Sequence, residues 1–300
     1  MHRRAVTTNG TTARVTASFG RNYLVEDKNG VGRLATRRGK RGDVIVGDQV
    51  HLTLDGSGQA VIESALPRAS VLMRAEGVRE KSLAANIDQI AIIFAARPTF
   101  NPHFVWRALL AANGASIDAL AILNKNELPD AGAARLFLQQ LSQLGHATVA
   151  ISIKTNPLET TAALVPLLHG RNTLLVGQSG MGKSTLLNLL VPDAGARTQE
   201  FSTSLNLGKQ TTSSSRWFHL PDGGALVDSP GFQSFGLRHL DGHSLAAAMP
   251  DLARVSGRCR FADCRHLGEP DCVVRAALER GEIDADRYAF YRQLMAERQT

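Results

Sequence analysis

The stretch Gly177-Gln178-Ser179-Gly180-Met181-Gly182-Lys183-Ser184 limits the possible folds of this chain more than any other feature. It fits G-x-x-x-x-G-K-[ST] and lies between a strand-like run, Thr173–Val176, and a helix-like run, Ser184–Leu190. The glycines let successive backbone N–H groups turn inward around phosphates, helped by the positive end of the following helix. In such a loop Lys183 is expected to reach the β- and γ-phosphates, the Ser184 hydroxyl to ligate Mg²⁺, and Thr185 to line the same turn. A strand–loop–helix unit of this kind belongs to an α/β domain with a largely parallel sheet, and the run from about Asp88 to Val176 alternates accordingly. Gln89–Ala95, Ala119–Leu123, Thr148–Ile153 and Thr173–Val176 read as buried strands, and Pro102–Asn113, Ala131–Leu144 and Leu158–Leu168 as helices.

Two further features follow the loop. Ala225-Leu226-Val227-Asp228-Ser229-Pro230-Gly231 is an apolar strand ending in Asp-x-x-Gly. Asp228 is expected to hold the Mg²⁺ shell, and the Gly231 N–H to meet the γ-phosphate. Between loop and aspartate lies the polar run Gly208-Lys209-Gln210-Thr211-Thr212-Ser213, where Thr212 can close over Mg²⁺ as a switch and Gln210 can place a water. Phe232 follows Gly231, at a position where many nucleotide hydrolases carry the glutamine that orients the attacking water. An apolar side chain cannot do so, which implies slow turnover by the chain alone.

The base is read elsewhere. Asn124-Lys125-Asn126-Glu127 follows the strand Ala119–Leu123 and resembles the Asn-Lys-x-Asp motif of GTPases, with Glu127 one methylene longer than the usual aspartate. A carboxylate there accepts hydrogen bonds from guanine N1–H and N2–H₂, a donor pair that adenine lacks. Ile151-Ser152-Ile153-Lys154 resembles the Ser-Ala-Lys loop whose backbone supports the guanine carbonyl. Base motifs thus precede the phosphate loop, the reverse of the ordinary order. Every motif sits on a strand end, so joining the old termini and cutting elsewhere leaves such a site intact.

Composition frames the remainder. Residues 1–43 carry ten Arg and Lys against three acids, a surplus equal to the +7 of the whole chain. Such a field favours polyanions, nucleic acid first among them, although a solvated basic face without a partner has the same charge. Asn22–Glu26, Gly32–Thr36, Val50–Leu54 and Ala60–Ser64 read as short strands with turns at Lys28-Asn29-Gly30 and Asp55-Gly56. They suit a small barrel of OB type, in which only Phe19 and Tyr23 offer aromatic stacking surface, so that contact with phosphate is expected over reading of bases. No apolar run reaches the ~20 residues of a membrane-spanning helix, and no secretion signal is read at the start. Three cysteines argue against a disulfide framework and suit a reducing cytoplasm.

All three cysteines fall in one place. Cys259, Cys264, His266 and Cys272 follow C-x4-C-x-H-x5-C, the donor set of a closed structural zinc site with no open position for catalysis. Arg254, Arg258, Arg260 and Arg265 surround it, and helical stretches over Val273–Arg280 and Arg287–Arg298 end the chain.

Together the phosphate loop, Asp228-Ser229-Pro230-Gly231, the rotated order and Cys259-Arg260-Phe261-Ala262-Asp263-Cys264-Arg265-His266 resemble the ribosome small-subunit-dependent GTPase A family over nearly the whole chain. The resemblance implies a multidomain α/β protein: an OB-type RNA-binding barrel over 1–75, a circularly permuted P-loop GTPase domain over 76–239, and a zinc-binding helical module over 240–300. It further implies a cytoplasmic, monomeric GTPase binding GTP and GDP with magnesium and one structural zinc. Such a protein engages the 30S ribosomal subunit and its 16S rRNA late in maturation, and the subunit stimulates hydrolysis. The residues by themselves leave three alternatives: an ATP-using P-loop enzyme, a non-hydrolytic RNA-binding scaffold, or a permuted GTPase acting on the large subunit.

Overall fold

The computed structural model describes residues 11–37, 43–76, 79–192, 194, 215–229 and 232–298. Five strands come first: β1 (Thr11–Phe19), β2 (Asn22–Asp27), β3 (Gly32–Arg37), β4 (Gln49–Leu54) and β5 (Ala60–Ala65). They pair in the order β1-β2-β3-β5-β4, and β4 returns to β1 through Thr11↔Leu52 to Arg14↔Gln49, so the sheet closes into a barrel without a free edge. Alternation explains the closure: Ala13, Val15, Tyr23, Val25, Val50, Leu52 and Ile62 all point into one small core. Tyr23 is therefore a core residue, only 6% exposed, and not the stacking surface expected of it. Phe19 remains at the surface, with the Arg216 guanidinium 5.6 Å from its ring centre.

A hairpin of β6 (Val71–Glu76) and β7 (Arg79–Ala85) links the barrel to the α/β part. There follow β8 (Gln89–Ala95), α1 (Pro102–Gly114), β9 (Asp118–Asn124), α2 (Gly132–Gln143), β10 (Ala147–Ala150), α3 (Pro157–Leu168), β11 (Asn172–Val176), α4 (Lys183–Leu190), β12 (Arg216–His219) and β13 (Ala225–Asp228). β10, β9, β8, β11 and β13 lie side by side and parallel, with β12 antiparallel on β13. Every residue of β8 is buried, as a central strand covered on both faces requires. One apolar cluster fills each face of the sheet. β12 also pairs with β1 at Ala17↔Arg216, which makes barrel and α/β sheet one continuous surface of 11 strands among the described residues.

Four short helices complete the described chain: α5 (Gly242–Ala247), α6 (Pro250–Ser256), α7 (Val273–Glu279) and α8 (Ala285–Ala296). Their apolar residues Leu245, Leu252, Val274, Phe290 and Tyr291 belong to the same core as α1 and β8. The Arg287 guanidinium donates two hydrogen bonds to the Asp251 carboxylate, at 2.5 and 2.7 Å, in a pair almost without solvent access.

One strand is shorter than its sequence suggests. The alternation over Thr148–Ile153 reads as strand to the end, yet β10 stops at Ala150. Beyond it, the Ile151 N–H donates to Leu123 O at 2.8 Å and Ile151 O accepts from the Asn126 N–H at 3.1 Å. The first bond still reaches β9, the second goes to the loop after it, and the burial of Ile151 and Ile153 anchors a turn.

Candidate nucleotide site and metal centre

The parallel strands end together at the sheet's C-terminal edge, where ligands of open α/β sheets bind. Each strand delivers one candidate segment. β11 leads into Gly177, and α4 opens at Lys183 behind Gly182, whose φ of 111° is a left-handed conformation suited to glycine. A Cβ on Gly177 would lie 2.4 Å from Ile93 O, so the loop packs directly on β8. β9 ends in Asn124, and the base motif continues from it.

The two distant motifs are tied to each other. Asn124 is 3% exposed; its Nδ2 donates to Met181 O at 2.9 Å and its Oδ1 accepts from the Ile153 N–H at 3.3 Å. One amide side chain thereby joins base motif, phosphate loop and the turn after β10. Lys125, held at a φ of 59°, donates from Nζ to Gly180 O at 2.9 Å and to Arg97 O at 2.5 Å. Asn126 faces away and accepts from Arg135 Nε at 2.8 Å through Oδ1. Glu127 is exposed, with its side chain on the wall of the site.

These segments enclose a cavity of about 640 Å³, lined by Asn124, Lys125, Glu127, Ile153, Lys154, Gln178, Ser179, Gly180, Gly182, Lys183, Ser184 and Thr185. That volume is in the range of small-molecule sites. Ser152 and Met181 are buried supports, and Gly177 packs under the loop. Arg97 and Leu128 also line the cavity and were not expected. Arg97 could have been found by its place, directly after the apolar strand β8.

Charge in the site is poised for an anion and a cation together. Lys183 Nζ donates to Gly177 O at 2.7 Å. Burial lowers the Lys183 pKa, with Asp228 opposing the shift. Burial raises that of Asp228, opposed first by Lys183, then by the Ser229 N–H and by Arg216. A half-buried carboxyl pushed toward neutrality by burial and opposed by Lys183 suits a hard cation with oxygen ligands. Ser215 and Ser229 exchange a hydroxyl hydrogen bond at 3.0 Å, which pins the start of β12 to the residue after Asp228. Gln210, Thr212 and Gly231 lie outside the described residues. Phe232 packs in an aromatic cluster, its ring centre 4.5 Å from Phe235 and 6.1 Å from Phe104 of α1.

The second cluster lies in the helical segment. One donor atom from each of Cys259, Cys264, His266 and Cys272 falls within 4.8 Å of all the others. His266 Nδ1 is 3.5 Å from Cys259 Sγ and 3.6 Å from Cys272 Sγ. A tetrahedral zinc with Zn–S of about 2.3 Å and Zn–N of about 2.0 Å separates S from N by about 3.5 Å. The residues fit that ion. Burial, with Cys272 and Cys259 as neighbours, pushes the Cys264 thiol up to about 12. A bound dication reverses this by stabilising the thiolate. The loop is held from outside as well: the Glu269 carboxylate accepts from the N–H groups of Arg265, Leu267 and Gly268 at 2.8, 2.9 and 3.1 Å. Tyr288 and Tyr291 of α8 donate to His266 O at 2.6 Å and Arg265 O at 2.9 Å.

Known proteins share this fold and much of this sequence. The structure is similar to the crystal structure of YjeQ from Thermotoga maritima, with a TM-score of 0.73 and 26% identity over 97% of this chain and 99% of that one. It has the fold of YloQ, described as a circularly permuted GTPase, with a TM-score of 0.71, 23% identity, and coverage of 99% and 98%. The small ribosomal subunit biogenesis GTPase RsgA of Bordetella pertussis is 45% identical over 285 residues, spanning 94% of this chain and 95% of the relative. Its namesake from Paraburkholderia xenovorans is 44% identical over 290 residues, with coverage of 94% and 92%. The family model for the RsgA GTPase matches residues 65–238, from just before the hairpin to the segment after Asp228. With the base motif and the phosphate loop meeting in one cavity, the chain belongs to the RsgA GTPase family.

Proposed function

We propose that this protein is a cytoplasmic, monomeric GTPase that docks on the small ribosomal subunit through 16S rRNA late in its maturation, and that docking accelerates GTP hydrolysis. The observation that carries the reading is the junction of base motif and phosphate loop at Asn124 Nδ2 and Met181 O, which makes one cavity of two sequence-distant segments. The names and coverage of the relatives support the subunit as partner. Among the described residues no helix is long and apolar enough to cross a membrane. The division into a barrel over 1–75, a GTPase domain over 76–239 and a zinc module over 240–300 belongs to the same reading.

Glu127 accepts hydrogen bonds from the guanine edge, while Lys125, Ser152, Ile153 and Lys154 shape the base end. Lys183 and the inward N–H groups of Gly177–Ser184 stabilise charge on the transferred phosphoryl group as water oxygen bonds to phosphorus and the bond to the GDP oxygen breaks. Ser184, Thr212 and Asp228 would hold magnesium, which when bound would supply charge neutralisation on the phosphates. Gly231 meets the γ-phosphate, and Gln210 positions the attacking water. Phe232, fixed among aromatic rings, supplies no polar group for that water, in keeping with slow turnover before docking. Cys259, Cys264, His266 and Cys272 hold one zinc whose role is structural.

Hydrolysis measured with small subunits, with large subunits and with neither tests the reading. Stimulation by the small subunit alone is expected, and its loss in Lys183→Ala. Full-speed hydrolysis without subunits, or tighter ADP than GDP binding, overturns it.

A further inference from the structure

Helix α1 touches three places that matter for the reaction. At its head, the Asn101 side chain caps the helix by accepting from the His103 N–H at 2.9 Å, while the Asn101 N–H donates to Gln178 Oε1 of the phosphate loop at 2.7 Å. One turn on, Phe104 meets Phe232, four residues beyond Asp228. Along its outer face, Trp106 packs on Phe290 of α8 with ring centres 5.5 Å apart, and Arg107 makes a two-pronged bond to Glu297 at 2.7 and 2.8 Å. Among the described helices, α1 is the one whose described contacts reach the phosphate loop, the exit from the Asp228 strand and the zinc-bearing segment.

The tie at Gln178 is also specific in form. Pro98 lies so close to Gly180 that an added Cβ would stand 2.9 Å from its Cγ, and Lys125 Nζ bridges Arg97 O and Gly180 O. Residues 97–101 thus form a strap across the loop, and Gln178 is the loop side chain bonded to the strap's helical end. A rigid helix held by specific contacts at its head and along its length shifts as a unit, because packed elements have discrete arrangements and do not deform gradually.

We propose that Gln178 is a positioning residue that couples the zinc-bearing segment to the phosphate loop through α1. A displacement of α8 on docking moves α1 along its axis, and the Asn101 N–H carries the movement to Gln178 and the loop backbone beside it. The proposal rests on the reading that subunit docking accelerates hydrolysis, but the link itself is physical and has its own readout.

The test uses the full, zinc-loaded chain. Gln178→Met keeps length and removes the acceptor; Gln178→Glu keeps the acceptor, and saturating GTP removes any effect of its charge on affinity. The ratio of subunit-stimulated to basal rate is expected to fall about fivefold or more in Gln178→Met, the lower end of coupling between sites, and to recover in Gln178→Glu. Arg107→Gln should lower the same ratio, and the double variant should fall no further than the worse single one, as one shared path requires. Equal loss of basal and stimulated rates in Gln178→Met, or additive losses in the double variant, overturns the proposal. Hydrogen exchange separates it from the docking reading. GDP should slow amide exchange in both the first turn of α1 and the end of α8 in the wild type, and in α1 and α8 far less in Gln178→Met. If wild-type hydrolysis ignores subunits while this exchange pattern appears, the docking reading fails and the link stands; absence of the α8 response in the wild type refutes the link.

Discussion

Gly182→Ala tests whether base motif and phosphate loop are one structure. At a φ of 111° an alanine is strained by about 1–2 kcal/mol regardless of space. Its Cβ would stand 2.3 Å from Asn124 Nδ2 and 3.5 Å from Ile153 Cδ1. Asn124 is fully enclosed and has to swing away, losing its bonds to Met181 O and from the Ile153 N–H, each of which contributes about 1 kcal/mol. The total is about 3–4 kcal/mol. Gly145 supplies the control: its φ of 89° imposes the same strain at the end of α2, but nothing lies within 4 Å of an added Cβ. Urea unfolding followed by fluorescence should therefore show Gly145→Ala down by about 1–2 kcal/mol and Gly182→Ala by about 2 kcal/mol more. GDP titration should separate them further, because only Gly182→Ala displaces a side chain that shapes the base end. Equal midpoints for the two variants, or wild-type GDP affinity in Gly182→Ala, would refute the argument that Asn124 joins the motifs.

Other expectations follow from single contacts. Asp251→Ala strands a buried Arg287 guanidinium and should cost about 3–5 kcal/mol in denaturant unfolding, whereas Asp251→Leu with Arg287→Met should recover most of it. Burial disfavours the ionised Glu269 carboxylate, but backbone N–H groups from Arg265 to Glu269 outweigh it and hold the group down at about 2. A folded pKa below the unfolded one means that its stabilisation is complete above about pH 4.5 and is lost as pH falls toward about 2. Glu269→Gln should lower stability at pH 7 and flatten that acid limb, read as melting temperature against pH. Chelation at neutral pH should release one zinc per chain and lower the melting temperature, and Cys264→Ser should abolish tight binding; unchanged melting in the stripped protein would remove zinc from the structural account.

What was legible in the sequence was whatever a short run of residues decides by itself. Gln89–Ala95 has the limits read from its apolar run, because a strand buried on both faces is apolar throughout. The phosphate loop, the base motif and the metal ligands are local patterns; the fold places Asn124, Lys125 and Glu127 on one cavity with the loop and turns Asn126 toward Arg135, and it gathers the four cysteine and histidine donors. Strand β1 carries a faint signal because its inward residues Ala13, Val15 and Ala17 are small, and β7 because Arg79, Glu80 and Lys81 dilute its pattern. Tyr23 was misplaced for a related reason: an aromatic ring in a basic barrel suits a binding face and a core position equally, and only closure of the barrel decides. The tie between Gln178 and Asn101 joins residues 77 positions apart and leaves no trace in either segment.

The rotated order gains a mechanical meaning from the sheet. β11, which carries the phosphate loop, is flanked by β8 on one side and β13 on the other. The chain comes from the barrel into β8 and proceeds from β13 toward the zinc-bearing helices, so both accessory parts are attached to the two neighbours of the phosphate strand. In the unrotated order the chain would enter at β11 itself and leave after β10, at the far edge of the sheet. Rotation moves the second attachment from that edge to the end of the strand bearing Asp228. The barrel has a further hold, through the β1–β12 bridge, Arg14 stacked 4.3 Å from the Trp217 ring centre, and His219 at 2.7 Å from Glu26. β12 is fastened in turn to Ser229 by Ser215. Barrel and Asp228 are thus joined through β12, whose Arg216 pairs with Ala17 on one side and with Asp228 on the other.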